Sequence, residues 1–337
     1  MQFKFFIGID VSKDTLDFSV VSNGNEITCF QIKNQAKTIQ AAVKKLREIP
    51  HFTLSKALFC IEHTGIYGNH CVLELHTVKA NLWVEKAIEI IRSSGLQRGK
   101  NDKVDAKRIA LFAYRNSDKA RLWVAPRAVI VKLRKLLTIR DRLISMKGQL
   151  STPIKESKRF DALEIYSEVK DACQSTIKAI EKDFKKVEKR ILEIIKADES
   201  LMHLFEIVTS VVGIGKVIAC EIIITTNEFK NISDSKKYAC YSGVVPFEHS
   251  SGSSVRGRNR VSHFANKNVK RLLHMAALAV TRIKGDLQFY WLRKLKEGKH
   301  KMVILNAIRN KLIQRVFAVV NRGTKYERNY TNNLISP

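Results

Sequence analysis

The chain has 337 residues, 45% of them hydrophobic, and sets 60 lysines and arginines against 32 aspartates and glutamates, for a formal charge of +28. That much apolar content excludes a disordered basic tail and gives enough material for the cores of about two or three domains, while the charge calls for a polyanionic partner, nucleic acid ahead of a membrane surface. No uninterrupted apolar stretch reaches the roughly 18 residues of a membrane-spanning helix, and Met1-Gln2-Phe3-Lys4 leads into a strand rather than a signal peptide. A cytoplasmic protein without a membrane partner is expected.

In chain order, Phe5 to Val11, Leu16 to Val21 and Glu26 to Gln31 read as strands, separated by turn-like Ser12-Lys13-Asp14 and Ser22-Asn23-Gly24-Asn25. Thr38 to Arg47 has helical periodicity, Ala57 to Glu62 is an apolar strand, Gly68 to Lys79 is helical and Asn81 to Val84 is a further strand. Three strands, a helix, then alternating strand and helix is the RNase H-like order. Beyond Arg127 the pattern changes to long charged helices without a strand signal, Val129 to Gln149 and Leu163 to Ala197. Their apolar stripes predict a helical hairpin or coiled coil, either a dimerisation arm or spacer, or an ordinary helical subdomain.

Val211 to Lys216 followed by Val217 to Ile224 resembles the hairpin of a helix-hairpin-helix element, although a Gly-x-Gly turn before a core helix is also plain structure. From Arg256 to the end there are 19 lysines and arginines against three acids, on helices that keep apolar faces at Val269 to Ile283 and Lys301 to Asn321. Such helices suit contacts to a nucleic-acid backbone rather than base reading. The six cysteines, Cys29, Cys60, Cys71, Cys173, Cys220 and Cys240, form no CxxC pair or zinc spacing and read as reduced core thiols.

Four acids stand out against this basic background. Asp10 and Glu62 come at the ends of apolar strands, and Asp102 and Asp105 form an i, i+3 pair at a helix start. Oxygen-only ligands in that setting suit Mg²⁺ or Mn²⁺. Taken singly, Asp102 also reads as a helix N-cap and Asp105 as a first-turn acid. Asp14 and Asp17 read as turn and strand-surface residues.

Gly8-Ile9-Asp10-Val11-Ser12-Lys13, Glu62-His63-Thr64-Gly65-Ile66-Tyr67 and Asn101-Asp102-Lys103-Val104-Asp105-Ala106 resemble successive blocks of the DEDD transposases of bacterial insertion sequences, the bridge-RNA-guided recombinases related to the pilin-gene invertase Piv. Tyr241-Ser242-Gly243-Val244-Val245-Pro246, Ser250-Ser251-Gly252 and Asn268-Val269-Lys270-Arg271-Leu272-Leu273 extend the resemblance, in order, over nearly the whole chain. It implies a RuvC-like metal-binding domain at 1–126, a helical coiled-coil arm at 127–199 and a mainly α transposase domain at 200–337. Asp10, Glu62, Asp102 and Asp105 would be the acidic quartet. Ser251 would be the nucleophile, with Ser250 its nearest competitor and Ser253 and Ser254 close by. The chain has Ser262-His263 and Ala265-Asn266 where the family commonly has Ser-Lys and Gly-Asn. The phosphate-holding cations are therefore to be sought among Arg256, Arg258, Arg260, Lys267, Lys270 and Arg271.

The resemblance further implies donor and target DNA, a guide RNA and a homo-oligomer, a dimer that becomes a tetramer in synapsis. The expected function is strand cleavage and rejoining through a phosphoserine intermediate. Two other classes compete: a RuvC-like nuclease or junction resolvase that uses water, and a non-catalytic nucleic-acid-binding scaffold.

Overall fold

The structure, a computed structural model, describes residues 3–63, 65–93, 102–251, 255–261 and 265–328, with the backbone alone for 102–103, 247–251 and 255–260. The chain forms two compact units, Met1–Ala125 and Pro126–Pro337.

The first unit is built on a five-stranded sheet. Strands β1 (Phe5–Val11), β2 (Thr15–Ser22) and β3 (Asn25–Lys33) form an antiparallel meander, and β4 (Ala57–Glu62) and β5 (Asn81–Glu85) add in parallel on the other side of β1, giving the order β3-β2-β1-β4-β5. This is the RNase H-like arrangement expected from the order of elements. Asn23 and Gly24 both take positive φ, 49° and 81°, as a tight two-residue hairpin turn requires. Side chains alternate across the sheet. Ile7, Ile9, Leu16, Phe18, Phe59 and Ile61 face one core, closed by α1 (Ala36–Arg47) and α2 (Asn69–Thr77) through Ile39, Val43, Leu46, Cys71 and Leu75. On the opposite face Phe6, Val21, Leu58, Cys60 and Trp83 pack against Ile90 of α3 (Ala87–Ser93) and against Ile109, Ala110, Phe112 and Ala113 of α4 (Asp102–Arg115).

Gly8 explains how closely α4 sits. A Cβ there would lie 2.1 Å from the Ala106 carbonyl oxygen and 2.3 Å from the Ala110 nitrogen, so helix backbone touches strand backbone. Only glycine on β1 opposite alanines on α4 permits that approach.

Among the described residues the second unit is helical apart from one hairpin. α5 (Ala128–Phe160) and α6 (Leu163–Lys196) run antiparallel, paired by Arg140 with Glu188 at 3.0 Å and Lys147 with Glu181 at 2.7 Å. Of the stripes read from sequence, Leu133 and Leu137 of α5 and Ile180 and Ile191 of α6 are buried, whereas Ile139 and Ile144 are exposed, as are Phe160 and Leu163 at the tip. There follow α7 (Glu199–Thr209), α8 (Lys216–Thr226), α9 (Ser235–Tyr241), the hairpin β6 (Phe247–Ser251) and β7 (Val255–Arg260), then α10 (Lys267–Val280), α11 (Asp286–Lys296) and α12 (Lys301–Arg322). α8 is apolar nearly all round, through Ile218, Ala219, Cys220, Ile222, Ile223 and Ile224, and lies in the core with Ile308, Leu312 and Val316 of α12. A helix of that composition must be central.

After α8 the chain makes a left-handed turn in which Asn227, Glu228 and Phe229 all have φ between 50° and 62°. Non-glycine residues pay about 1–2 kcal/mol each for that conformation. Neighbours hold it: Phe229 is buried edge-on against Phe317, its N–H donates to Thr226 Oγ1 at 3.0 Å, and Glu228 accepts from Arg127.

The mainly α part beyond Arg127 carries a hairpin, β6 paired with β7, that has no sequence signal because short runs rich in Ser, Gly and Arg carry no hydrophobic alternation. One expectation needs correction. The cysteines are not all core thiols: Cys60, Cys71 and Cys220 are buried, with burial pushing Cys220 up to about 12, but Cys29 is exposed on the outer strand β3. Among the described residues no helix is long and apolar enough to cross a membrane.

Candidate active site

Phe6, Gly8 and Asp10 alternate with the inward-facing Ile7 and Ile9, so Asp10 is on the face covered by α4. Leu58, Cys60 and Glu62 share that face by the same parity. The parallel register of β1 and β4 brings both acids to the carboxyl end of the sheet, where Ile9 pairs with Ile61. α4 completes the arrangement. Its close seat on Gly8 puts the first turn, with Asp105, over the same end, and Asp102 is the first residue of that helix.

Glu62 is held above the ordinary carboxylate range, by burial first and by the negative charge of Asp105 second. Asp105 accepts a hydrogen bond from Arg108 at 2.5 Å. Asp10 and Glu62 are half-buried, and so is Asp105. The side chain of Asp102 lies outside the described residues. Among the described residues no three His, Cys, Asp or Glu side chains are gathered closely enough to hold a metal ion. The all-oxygen donor set nevertheless fits a hard divalent cation, and crowded carboxylates are the environment such a cation relieves.

Several residues that brace this edge were not singled out in the sequence. Asn34, just after β3, donates to the carbonyls of Ser12 at 3.0 Å and Tyr67 at 2.9 Å, tying the β1–β2 turn to the segment that follows Glu62. Ser19 donates to Glu26 at 2.6 Å and Lys107 pairs with Glu26 at 3.1 Å, which fixes α4 over the sheet two residues from Asp105. Asp17, read as strand-surface, is in fact 3% exposed. The signal available was register: an Asp in a strand directly opposite another strand acid shares its face. Gly8 had a signal too, since an isolated glycine inside a strand marks a close backbone approach.

In the second unit Ser251 ends β6. Ser250 pairs with Arg256 and Ser251 with Val255, and Arg256, Arg258 and Arg260 take alternate positions on β7. The side chains of these residues lie outside what is described, as do Ser253, Ser254, Ser262 and His263. The segments flanking the hairpin are tied together. Gly243, at φ +67°, has Ala265 and Val261 where a Cβ would be. Asn266 caps α10 by accepting the Val269 N–H at 3.0 Å and donates to Tyr241 Oη at 2.9 Å, and Asn306 of α12 donates to the Val244 carbonyl at 2.6 Å. Lys267 and Arg271 are exposed on the first turns of α10 and Lys270 is half-buried. Below them burial raises Glu221 of α8, against the lowering effect of the Asn268 hydrogen bond. Arg309 of α12 is 5% exposed; among the described residues, its Nε and the nearby His274 Nδ1 are buried without hydrogen-bond partners. Burial pushes both groups below their ordinary values, with the charge of Arg309 adding to the effect on His274.

Known proteins resemble this chain throughout. A model of DEDD transposases of the IS110 type matches residues 7–157, and the model described as the transposase IS116/IS110/IS902 family matches residues 205–292. The pilin gene-inverting protein of Moraxella bovis is 26% identical over 96% of this chain and 98% of its own length. A probable family 20 transposase of Pseudomonas aeruginosa is 26% identical over 48% of this chain and 46% of its own length. Among solved structures, Thermus thermophilus RuvC in complex with a Holliday junction substrate covers 36% of this chain and 99% of its own, at 11% identity and a TM-score of 0.30.

Proposed function

Since the chain is a DEDD insertion-sequence transposase, a DNA-recombining enzyme matched in order by two models of that family and over nearly its full length by a pilin gene-inverting protein, we propose that it cuts and rejoins DNA through a serine-linked intermediate at a divalent-metal site. Asp10, Glu62, Asp102 and Asp105 would hold Mg²⁺ or Mn²⁺. The observation that carries this reading is the common face of Asp10, Glu62 and the first turn of α4, set by strand register and by Gly8.

Such a metal, when bound, polarises phosphoryl oxygens and stabilises the charge that develops on them. Ser251 Oγ would attack the phosphorus of a DNA phosphodiester; the Oγ–P bond forms as the hydroxyl gives up its proton, the bond to one strand oxygen breaks, and that oxygen leaves as a strand hydroxyl by taking up one proton, so the exchange is proton-neutral. A hydroxyl from another duplex reverses the exchange and frees the serine, so no ATP is consumed. Arg256, Arg258, Arg260, Lys267, Lys270 and Arg271 would hold the phosphate and the flanking backbone. The hairpin that carries Ser251 and the first three arginines is supported from both flanks by Asn266 and Asn306.

The protein would recognise donor and target DNA through a guide RNA, delegating sequence choice to base pairing, as its basic helices suit backbones rather than bases. It would act in the cytoplasm as a dimer that becomes a tetramer in synapsis. Ile139, Ile144 and the tip residues Phe160 and Leu163, exposed along α5 and α6, would offer apolar surface to such a coiled-coil arm, and the α7–α8 turn would act as a helix-hairpin-helix-like element.

The test is a denaturing gel for a covalent protein–DNA adduct, with protein co-expressed with the non-coding DNA flanking its gene. A Mg²⁺-dependent adduct lost in both Ser251→Ala and Asp105→Asn is the expected result. Cleavage without an adduct, indifferent to Ser251→Ala, would make the protein a water-using nuclease instead. Binding that survives Asp105→Asn, with no strand breakage by any form, would make it a scaffold.

A further inference from the structure

Where α10 packs on α12, Arg309 and His274 lie close enough for the charge of the first to act on the second. Arg309 is 5% exposed, and its helix neighbours Ile308, Leu312 and Ile313 are fully buried. Among the described residues neither its Nε nor His274 Nδ1 has a hydrogen-bond partner. No acid there offsets the charge: burial alone acts on Arg309 and pushes it below its ordinary value, and at His274 the charge of Arg309 adds to burial in the same direction. A guanidinium cannot shed its proton to escape burial as a lysine can, so left unpaired in a core it costs stability that an apolar side chain would not. What it offers in return is a fork of N–H donors shaped for two parallel hydrogen bonds to an oxyanion. His274 is only half-buried, so the pair reaches the surface on the α10 side.

The same helix faces support the segment that leads into β6. Asn306, one turn before Arg309, donates to the Val244 carbonyl at 2.6 Å, and Lys270, one turn before His274, has its Cδ 3.6 Å from where a Cβ on Gly243 would be. We propose that Arg309 and His274 form a site for a phosphate oxyanion. Its source is either a backbone phosphate of bound DNA or free phosphate. On arrival the anion neutralises the buried cation, gives both nitrogens a partner and ties α10 to α12 one turn from the supports of the β6–β7 hairpin. The site needs neither the metal nor the serine reaction, so it stands or falls apart from them. The alternative is a buried arginine that serves packing alone.

The experiment uses full-length protein and two probes, inorganic phosphate against chloride of matched ionic strength, and a short DNA duplex of arbitrary sequence. Thermal melts read the first and fluorescence anisotropy over a series of salt concentrations reads the second. Phosphate at ten times its dissociation constant should raise the parent's melting temperature by about 3–5 °C beyond chloride. Arg309→Met removes the charge and should melt as high as the parent or higher without phosphate. If the source is DNA, that variant binds the duplex about tenfold more weakly and its salt slope falls by about 1. If the source is free phosphate, the variant loses the phosphate gain and keeps its duplex affinity. Retention of both the parent's phosphate gain and its duplex affinity overturns the proposal, and so does a lower melting temperature without phosphate, which would mean that Arg309 already has a partner inside the protein. Should Arg309→Met not fold, His274→Gln decides: a phosphate gain and duplex affinity both equal to the parent's overturn the site, and a reduction in either supports it.

Discussion

Replacing Gly8 with alanine adds one methyl group at the point where sheet and helix backbones meet. The new Cβ would be 2.1 Å from the Ala106 oxygen, 2.3 Å from the Ala110 nitrogen and 2.9 Å from the Ala110 Cα, all backbone atoms that cannot rotate away. Ordinary contact begins at 3.4 Å, so α4 must withdraw by about 1.3 Å. Overpacking of this kind costs about 1–3 kcal/mol. For a unit of this size, each kcal/mol lowers the melting temperature by roughly 3–5 °C. The functional loss should be larger. α4 carries Asp102 and Asp105, and a displacement of about 1 Å in a reacting group can cost about 100-fold in rate. The assay pairs a thermal melt with single-turnover DNA cleavage at a temperature where both proteins are folded. A variant that cleaves within about threefold of the parent would show that the seat of α4 does not position the acids, and the argument from Gly8 would fail.

Asn266→Ala removes the cap of α10 and the hydrogen bond to Tyr241, and should cost about 1–2 kcal/mol in a denaturant titration together with adduct formation; an unchanged midpoint would count against the role given to that clasp. Arg309→Met removes a buried cation that has no ion pair among the described residues, so urea unfolding should show unchanged or greater stability. A loss above about 1 kcal/mol would instead reveal an anionic partner. Arg127 binds both Asp198 and Glu228. Its hydrogen bond, with the Leu201 N–H, lowers Asp198; burial by itself raises Glu228, but Arg127 and Lys230 together leave it below the ordinary range. With the folded values depressed, the unfolded chain takes up protons first as pH falls below about 4, and stability is lost through that window. Arg127→Met should flatten the acid limb of a stability–pH curve, and an unaltered limb would disprove the linkage.

Much of the first unit could be read from residues because its strands carry alternating or continuous apolar runs, its helices an amphipathic stripe, and its acids sit where those runs end. β1, β4 and α6 lie where periodicity predicts them, within a residue at either end. Register was harder. Which acids share a face depends on pairing between distant strands, and Asp17 was misread because its local sequence, Thr15-Leu16-Asp17-Phe18, looks like any half-exposed strand. The hairpin that carries Ser251 was illegible for a different reason. Ser250, Ser251, Gly252, Ser253 and Ser254 have loop chemistry, and the strands exist through tertiary supports, Gly243 on Ala265 and Asn306 on Val244, that no local pattern announces. Resemblance pointed to the serine; composition could not.

The pairing of α5 with α6 makes length a designed quantity. At 1.5 Å per residue, the 33 residues of α5 extend for about 50 Å. Because Arg140 is matched to Glu188 and Lys147 to Glu181 from opposite chain directions, the hairpin can be lengthened or shortened only by equal changes in both helices. A heptad added to each would move the tip by about 10 Å, near the rise of three base pairs of duplex DNA at about 3.4 Å each. The hairpin is in this sense a ruler, graduated in helical turns.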